Sequence, residues 1–182
     1  MTPPAPLLSR LVPVAVLPPG GKDVTVEADA AERAALAKAY GLVELKSLVG
    51  RFTLRPAGAS VNVSGRVAAA VIQTCTVSLD PFDAMVEETV ELQFMPQGGI
   101  EAWLARHRPD PSLDLAYDID PPDAIVDGKV DLGAVTAEFL AIGLDPYPRK
   151  PGIGFEDPEA AAAGKDPSPF AVLAQLKKGT EG

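Results

Sequence analysis

The sequence predicts an α+β protein, with a curved antiparallel β-sheet or partial barrel, two packed helices, and a short C-terminal helix on a mobile linker. Three observations support this class. Long stretches between residues 43 and 94 alternate apolar and polar side chains, which is the period of half-buried strands. Two other stretches begin with helix-capping signals. Residues 151–167 are rich in proline, glycine, alanine and acid, which is typical of a flexible linker.

These boundaries predict one domain over residues 1–150, the linker over 151–167, and a short helix with a tail over 168–182. A chain of 182 residues fits a single domain of this kind. Hydrophobic residues make up 47% of the chain, which is enough for a sizeable core.

The N-terminal third predicts a short strand followed by a helix. Apolar residues alternate over residues 24–28. Asp29 and Glu32 have the spacing of a capping box, so a helix is expected over residues 30–40. Gly41 is suited to end that helix in the left-handed conformation.

The middle of the chain predicts three longer strands. Residues 43–54 form one strand region, whose apolar phase changes across Gly50, so we expect a β-bulge at that glycine. Residues 61–77 carry apolar side chains on odd positions, and residues 86–94 alternate again. We expect these last two strands to pair antiparallel and to be joined at residues 79–82.

The last third predicts helices and loops. Residues 100–106 are expected to form one or two helical turns, and residues 110–131 a solvated acidic loop. Asp131 can cap a helix over residues 132–144, and Ser168 can cap the terminal one. One apolar stripe is expected along the longer helix: Leu132, Val135, Phe139 and Ile142.

Composition restricts the classes of function. Acidic residues outnumber basic ones 25 to 16, and the net charge of −9 disfavours broad contact with nucleic acid. The single cysteine, Cys75, cannot form an intramolecular disulfide. No stretch is apolar enough to predict a membrane span, and the N-terminus has no secretory pattern. We therefore expect a cytoplasmic protein with no membrane or DNA partner.

A seven-residue motif gives the first functional indication. Residues 75–81 read Cys-Thr-Val-Ser-Leu-Asp-Pro, which resembles the Cys-x-Arg-Cys-Leu-Glu-Pro motif of the YceD family of large ribosomal RNA subunit accumulation proteins. The matching positions are Cys75, Leu79, Asp80 and Pro81. Val77 and Ser78 stand where the family has its arginine and second cysteine.

Two further segments extend the resemblance. Residues 131–140 resemble the Asp-Leu-x-x-Leu-x-x-Glu helix of the family, with Glu138 at the glutamate position. Residues 168–177 resemble its Asn-Pro-Phe-x-x-Leu-x-x-Leu-Lys ending, matched here by Pro169, Phe170 and Leu173. The resemblance implies a non-enzymatic factor that supports accumulation and processing of 23S rRNA and assembly of the large ribosomal subunit.

Charge suggests how such a factor could hold its partner. An acidic protein docks readily on a basic one, and in many genomes the family gene lies beside that of ribosomal protein L32, so a basic large-subunit protein is the expected partner. Contact with 23S rRNA is the other expectation. The candidate contacts are Glu138 and three basic pairs: Arg106 with Arg108, Arg149 with Lys150, and Lys177 with Lys178.

Two other functions stay open at the level of sequence. A metal-dependent nuclease acting on rRNA would use acidic residues such as Asp118 and Asp120. A protein-binding module without RNA contact would use the apolar face of the terminal helix. A zinc site is not expected, because Cys75 and His107 are the only residues of the preferred ligand types. We predict no cofactor, and we expect Cys75 to be a small buried apolar residue.

Overall fold

The computed structural model describes residues 6–106 and 121–153. Within these ranges the elements follow one another as strands β1 to β7, helices α1 to α3, and a 3-10 turn at Val14–Val16 after β1. Their bounds are β1 Leu11–Pro13, β2 Lys22–Glu27, α1 Ala30–Tyr40, β3 Glu44–Ala57, β4 Ser60–Thr74, β5 Pro81–Pro96, α2 Gln97–Arg106, β6 Asp123–Ile125, β7 Lys129–Asp131 and α3 Leu132–Gly143.

The main sheet has five strands in the order β2-β3-β4-β5-β6. Neighbours from β2 to β5 are antiparallel, whereas β6 runs parallel to the end of β5. A separate antiparallel ribbon joins β1 to β7. The predicted α+β class is confirmed, and the sheet is mixed at one edge and does not close into a barrel.

The core lies between one face of this sheet and helices α1 and α3. Odd residues of β4 point into it, as the alternation predicts, and all of those from Val67 to Val71 are buried. Helix α1 packs on β3, and α3 packs across β3, β4 and β5. The opposite face of the sheet is largely exposed and carries the polar half of each strand.

Two glycines make room for the Phe52 ring, and one of them, Gly50, also allows the sheet and helix α3 to approach each other. A Cβ atom at Gly50 would lie 2.5 Å from Cε2 of Phe52 and 2.6 Å from Oγ1 of Thr136 on α3. A Cβ atom at Gly65 would lie against the backbone of β3 and the ring of Phe52. The Phe52 ring therefore occupies space that any larger residue at either glycine would take.

The predicted helix signals are confirmed. Asp29 and Glu32 form both hydrogen bonds of the capping box, and Gly41 ends α1 with a φ of 67°. Asp131 accepts from the N–H groups of Gly133 and Ala134 and so caps α3. The predicted stripe of α3 is only partly buried, because Ile142 is 62% exposed.

Three details of the sheet differ from the prediction. The bulge lies between Leu45 and Ser47, and Gly50 pairs regularly with Val67, so a bulge at Gly50 was wrong. The loop between β4 and β5 spans residues 75–80, and Pro81 already belongs to β5. The acidic stretch contains the short strands β6 and β7, whose three residues each were too few to give a pattern.

One edge of the sheet stays largely open in the described ranges. Strand β6 covers only Phe94–Pro96 of the sixteen-residue β5. From Pro81 to Gln93, β5 pairs with β4 on one side and with no described strand on the other.

The remaining expectations fall elsewhere. The predicted terminal helix and nearly all of the linker lie outside the described residues, so both stay predictions. No helix in the described ranges has the length and hydropathy needed to cross a membrane.

Candidate functional site

The motif at residues 75–81 forms a closed loop between β4 and β5. The N–H of Cys75 donates to the carbonyl of Asp80, and the N–H of Leu79 donates to the carbonyl of Cys75, each over 2.9 Å. The N–H of Ser78 donates to Cys75 Sγ over 3.5 Å. Cys75 takes part in all three of these hydrogen bonds, through its N–H, its carbonyl and its Sγ, and they hold the backbone of the motif in a closed loop.

Residues 148–150, which follow helix α3, pack against this loop and form further hydrogen bonds with it. The N–H and the hydroxyl of Thr76 both donate to the carbonyl of Pro148. The N–H of Lys150 donates to Cys75 Sγ over 3.4 Å, and Lys150 Nζ lies 3.8 Å from Asp80 Oδ2. The structure therefore brings together the motif and the Arg149–Lys150 pair, two candidate regions that the sequence places some 75 residues apart.

The Cys75 thiol is buried, as expected, but it is also an acceptor of hydrogen bonds. The Lys150 N–H, and then hydrogen bonds from Ser78, lower the pKa of Cys75 from 9.0 to about 6, against the opposing effect of desolvation. These hydrogen bonds favour the thiolate form of Cys75 in the folded protein. An apolar role alone does not describe this residue.

This pKa predicts a pH-dependent contribution to stability. Between pH 6 and 9 the folded thiol binds fewer protons than the unfolded one, so the free energy of unfolding should rise with pH across this window. The contribution is lost as the pH falls through about 6. Urea unfolding of the protein and of Cys75→Ala should show a stability difference that grows from pH 6 to pH 9. A difference that does not change with pH would contradict the prediction.

The tip of the loop presents apolar side chains to solvent. Leu79 is 74% exposed and has a φ of 62°, a left-handed conformation that is strained for a branched residue. Val77 is also exposed, and so is Tyr147 in the segment that packs beside the loop. The closed loop thus holds an apolar tip outward at a cost in backbone strain.

Glu138 lies at a second place, on the rim of an open acidic pocket of about 310 Å³. Helix α3, the β1–β7 ribbon, β6 and the end of β5 form its walls. Its carboxylates are Asp123, Asp127, Asp131 and Glu138. Its apolar side chains are Leu11, Phe94, Val126 and Val135.

The charges of this pocket favour a cationic ligand. Desolvation raises the pKa of Asp123. Asp131 is already engaged as a cap, whereas Glu138 is exposed and available to a partner. Lys129 is the single lysine or arginine among the lining residues. An ammonium or guanidinium group entering the pocket would meet carboxylates at its rim and apolar surface along its stem.

The predicted cations do not form one surface in the described ranges. Arg106 ends α2, where its Nε donates to the carbonyl of Ala102. Arg149 is exposed next to Lys150. The other predicted contacts, Arg108, Lys177 and Lys178, lie outside the described residues, and so do the family-motif positions Pro169, Phe170 and Leu173. The acidic pair Asp118 and Asp120 also lies outside the described residues, and in the described ranges no three His, Cys, Asp or Glu side chains lie close enough together to hold a metal ion.

Sequence reasoning missed the pocket residues Asp123 and Asp127. Both were assigned to a solvated acidic loop. Seven aspartates occur in that stretch, and the sequence does not indicate which of them lie beside a neighbouring strand. The available signal was that this stretch leads into the capping residue Asp131. The unpaired N–H groups at a helix N-terminus need partners, so the residues that precede the helix lie close to it.

Comparison with known proteins agrees with the motifs. A family model described as large ribosomal RNA subunit accumulation protein YceD matches residues 63–177, which is more than half of the chain. No curated protein and no solved structure matches the chain significantly. The match covers the closed loop, α3 and every lining residue of the acidic pocket except Leu11. The chain therefore belongs to the YceD family of large ribosomal RNA subunit accumulation proteins.

Proposed function

We propose that this protein is a non-enzymatic factor that supports 23S rRNA accumulation and processing and assembly of the large ribosomal subunit by docking on a basic ribosomal protein. Family membership supports the connection with large-subunit RNA. The acidic pocket is the observation that carries the docking mechanism, because its carboxylates and apolar walls suit a lysine or arginine side chain.

The net charge of −9 supports the same mechanism at longer range. Ribosomal proteins are strongly basic, so the acidic surface of this chain raises the rate at which they associate with it. That rate should fall as the salt concentration rises. Glu138 is the contact residue on α3 in this proposal. The closed loop is a second contact, with the apolar tip at Leu79 displayed beside the Arg149–Lys150 pair.

Purified ribosomal protein L32 is the first partner to test. Glu138→Lys should weaken its binding about tenfold or more, because like charge at a contact strongly disfavours a complex. Glu44→Lys is the matched control, since both variants change the net charge from −9 to −7 and Glu44 is an exposed residue outside the pocket. Calorimetry or fluorescence anisotropy would give the dissociation constants.

Equal weakening by the two substitutions would show that only net charge matters and would overturn docking at the pocket. Absence of L32 binding would overturn the choice of partner. A pull-down from native lysate with and without nuclease separates protein from RNA contact. Retention of one basic large-subunit protein after nuclease treatment supports the docking mechanism, and loss of all ribosomal material contradicts it.

A further inference from the structure

The exposed face of the sheet carries a group of arginines that does not belong to either site above. Arg51 and Arg55 lie on β3 and Arg66 lies on β4, and all three are exposed. We call these three residues the arginine face. It occupies the two central strands, on the side of the sheet opposite the core.

Register places two of these arginines directly against each other. Arg51 pairs with Arg66 across the β3–β4 ladder. Like charges in directly opposite positions of neighbouring strands are destabilising, and their Cβ atoms are typically about 5 Å apart. The ion pairs among the described residues are Arg10–Glu32, Lys46–Asp83 and Lys150–Asp80, so the arginine face takes part in none of them.

Carboxylates lie on the outer strands of the same face. Glu27 and Asp23 are on β2, and Glu87 and Glu91 are on β5. The register places them in the rows next to the Arg51–Arg66 pair, and Asp23 accepts a hydrogen bond from Thr53. Carboxylates on β2 and β5 thus flank Arg51 and Arg66 on both sides. Because they repel an anionic ligand, such a ligand can bind only along a narrow path over β3 and β4.

The surroundings of the arginines suit a phosphodiester chain. Hydroxyl groups of Thr25 and Thr89 complete the row that contains Arg51 and Arg66. A shallow cleft of about 390 Å³ adjoins it, with Asn62, Ser64 and Gln93 on the side of the arginines. The carboxylates Glu91 and Asp123 line the same cleft and limit how far a phosphate chain can enter it. Guanidinium groups bind phosphate oxygens through two parallel hydrogen bonds, and hydroxyl and amide side chains commonly complete such contacts.

We propose that the arginine face binds the phosphate backbone of single-stranded RNA, with Arg51 and Arg66 on neighbouring phosphates and Arg55 extending the path. This inference rests on the proposed role in rRNA accumulation and names a surface for the RNA. The outward side chains of β2–β5, all of which are described, include no aromatic ring, so bases have no stacking platform. Recognition on this face therefore depends on the backbone and has little sequence preference.

The test uses the full chain and a labelled single-stranded RNA of roughly 12 nucleotides, within the usual site size of such surfaces. Anisotropy titrations at several salt concentrations should give a log–log slope of about −2 for three phosphate contacts on a single strand. The double variant Arg51→Gln with Arg66→Gln should bind roughly tenfold more weakly at low salt and should reduce the slope to about −0.7.

The control is Lys22→Gln with Lys38→Gln, which removes two exposed lysines that are not part of the arginine face. Lys22 pairs with the buried Leu54 and so lies on the core side of the sheet, and Lys38 lies on α1. Both double variants change the net charge by −2, from −9 to −11. The control should keep RNA affinity within about twofold and leave the slope unchanged. Equal loss in both double variants, or no measurable RNA binding by the unsubstituted chain, overturns the inference.

A stability measurement separates lost binding from misfolding. Replacing Arg51 and Arg66 relieves a repulsion between like charges, so the double variant should fold at least as stably as the original chain. An unfolding midpoint no lower than that of the original chain would exclude misfolding as the cause of lost binding.

Two further outcomes separate this inference from its rivals. Competition by a polyglutamate peptide as effective as competition by unlabelled RNA would identify an acidic protein as the ligand and would overturn RNA. Glu138→Lys should not weaken RNA binding, because Glu138 lies on α3 at the pocket. RNA binding that survives when L32 binding fails would support the arginine face while contradicting the docking mechanism.

Discussion

Gly50→Val should lower the free energy of unfolding by about 3 kcal/mol, because the site has no room for a side chain. Even a single Cβ atom would lie 2.5 Å from the Phe52 ring and 2.6 Å from the hydroxyl oxygen of Thr136. That hydroxyl donates to the carbonyl of Leu132 inside α3, and Thr136 is fully buried, so turning the hydroxyl away would leave a buried polar group without its partner. The clash would push α3 and the sheet apart, and the expected result is a lower midpoint of urea unfolding.

Gly98→Ala provides a matched control for this prediction. Gly98 lies near the start of α2, a Cβ atom added there would meet no other atom within 4 Å, and its φ is not positive. Alanine there should stabilise the protein slightly, by at most about 1 kcal/mol, because it favours the helix. If both glycine variants lost the same stability, close packing at Gly50 would not be the cause.

Asp131→Ala should cost about 2–3 kcal/mol, because one carboxylate satisfies donors from two parts of the chain. It accepts from the N–H groups of Gly133 and Ala134 at the start of α3. It also accepts from the Ser9 hydroxyl over 2.6 Å and from the Arg10 N–H over 2.7 Å. Removing it deprives the Ser9 hydroxyl, the Arg10 N–H and the N–H groups of Gly133 and Ala134 of a shared acceptor at the same time.

Asp131→Asn should retain a large part of this stability, because an amide oxygen can still accept at the cap. Glu44→Ala is a control for the loss of an exposed carboxylate and should change stability by no more than about 0.5 kcal/mol. Chemical unfolding of the three variants gives the ranking. A loss of stability in Asp131→Ala no larger than in Glu44→Ala would contradict the role of Asp131 as a shared acceptor.

Local signals explain which parts of the fold could be predicted. Asp29, Glu32 and Gly41 act on the backbone within one helical turn, so their pattern determined both ends of α1. The alternation of β4 likewise depends only on which face of one strand is buried. Gly50 was misread as a bulge because its real role, space for Phe52 and Thr136, depends on a helix more than eighty residues later.

The candidate sites were less accessible to sequence reasoning, since each depends on long-range contacts. Nothing local indicates that Lys150 donates to Cys75 Sγ. The Arg51–Arg66 pair follows from the β3–β4 hairpin, in which Ala57 pairs with Ser60 across a two-residue turn. Gly58 has a φ of 65° in that turn, and residues 56–58 carry a turn signal in the sequence, but the register also depends on which two residues close the turn.

The side of β5 that no described strand covers also affects how copies of this protein behave at high concentration. Unpaired N–H and C=O groups along an exposed strand invite another strand to pair, which leads to aggregation. Here Asp83, Glu87 and Glu91 project from the same stretch, so two copies approaching edge to edge meet mutual repulsion. Acidification towards the isoelectric point near pH 4.6 removes that protection, and self-association through β5 is then expected to begin.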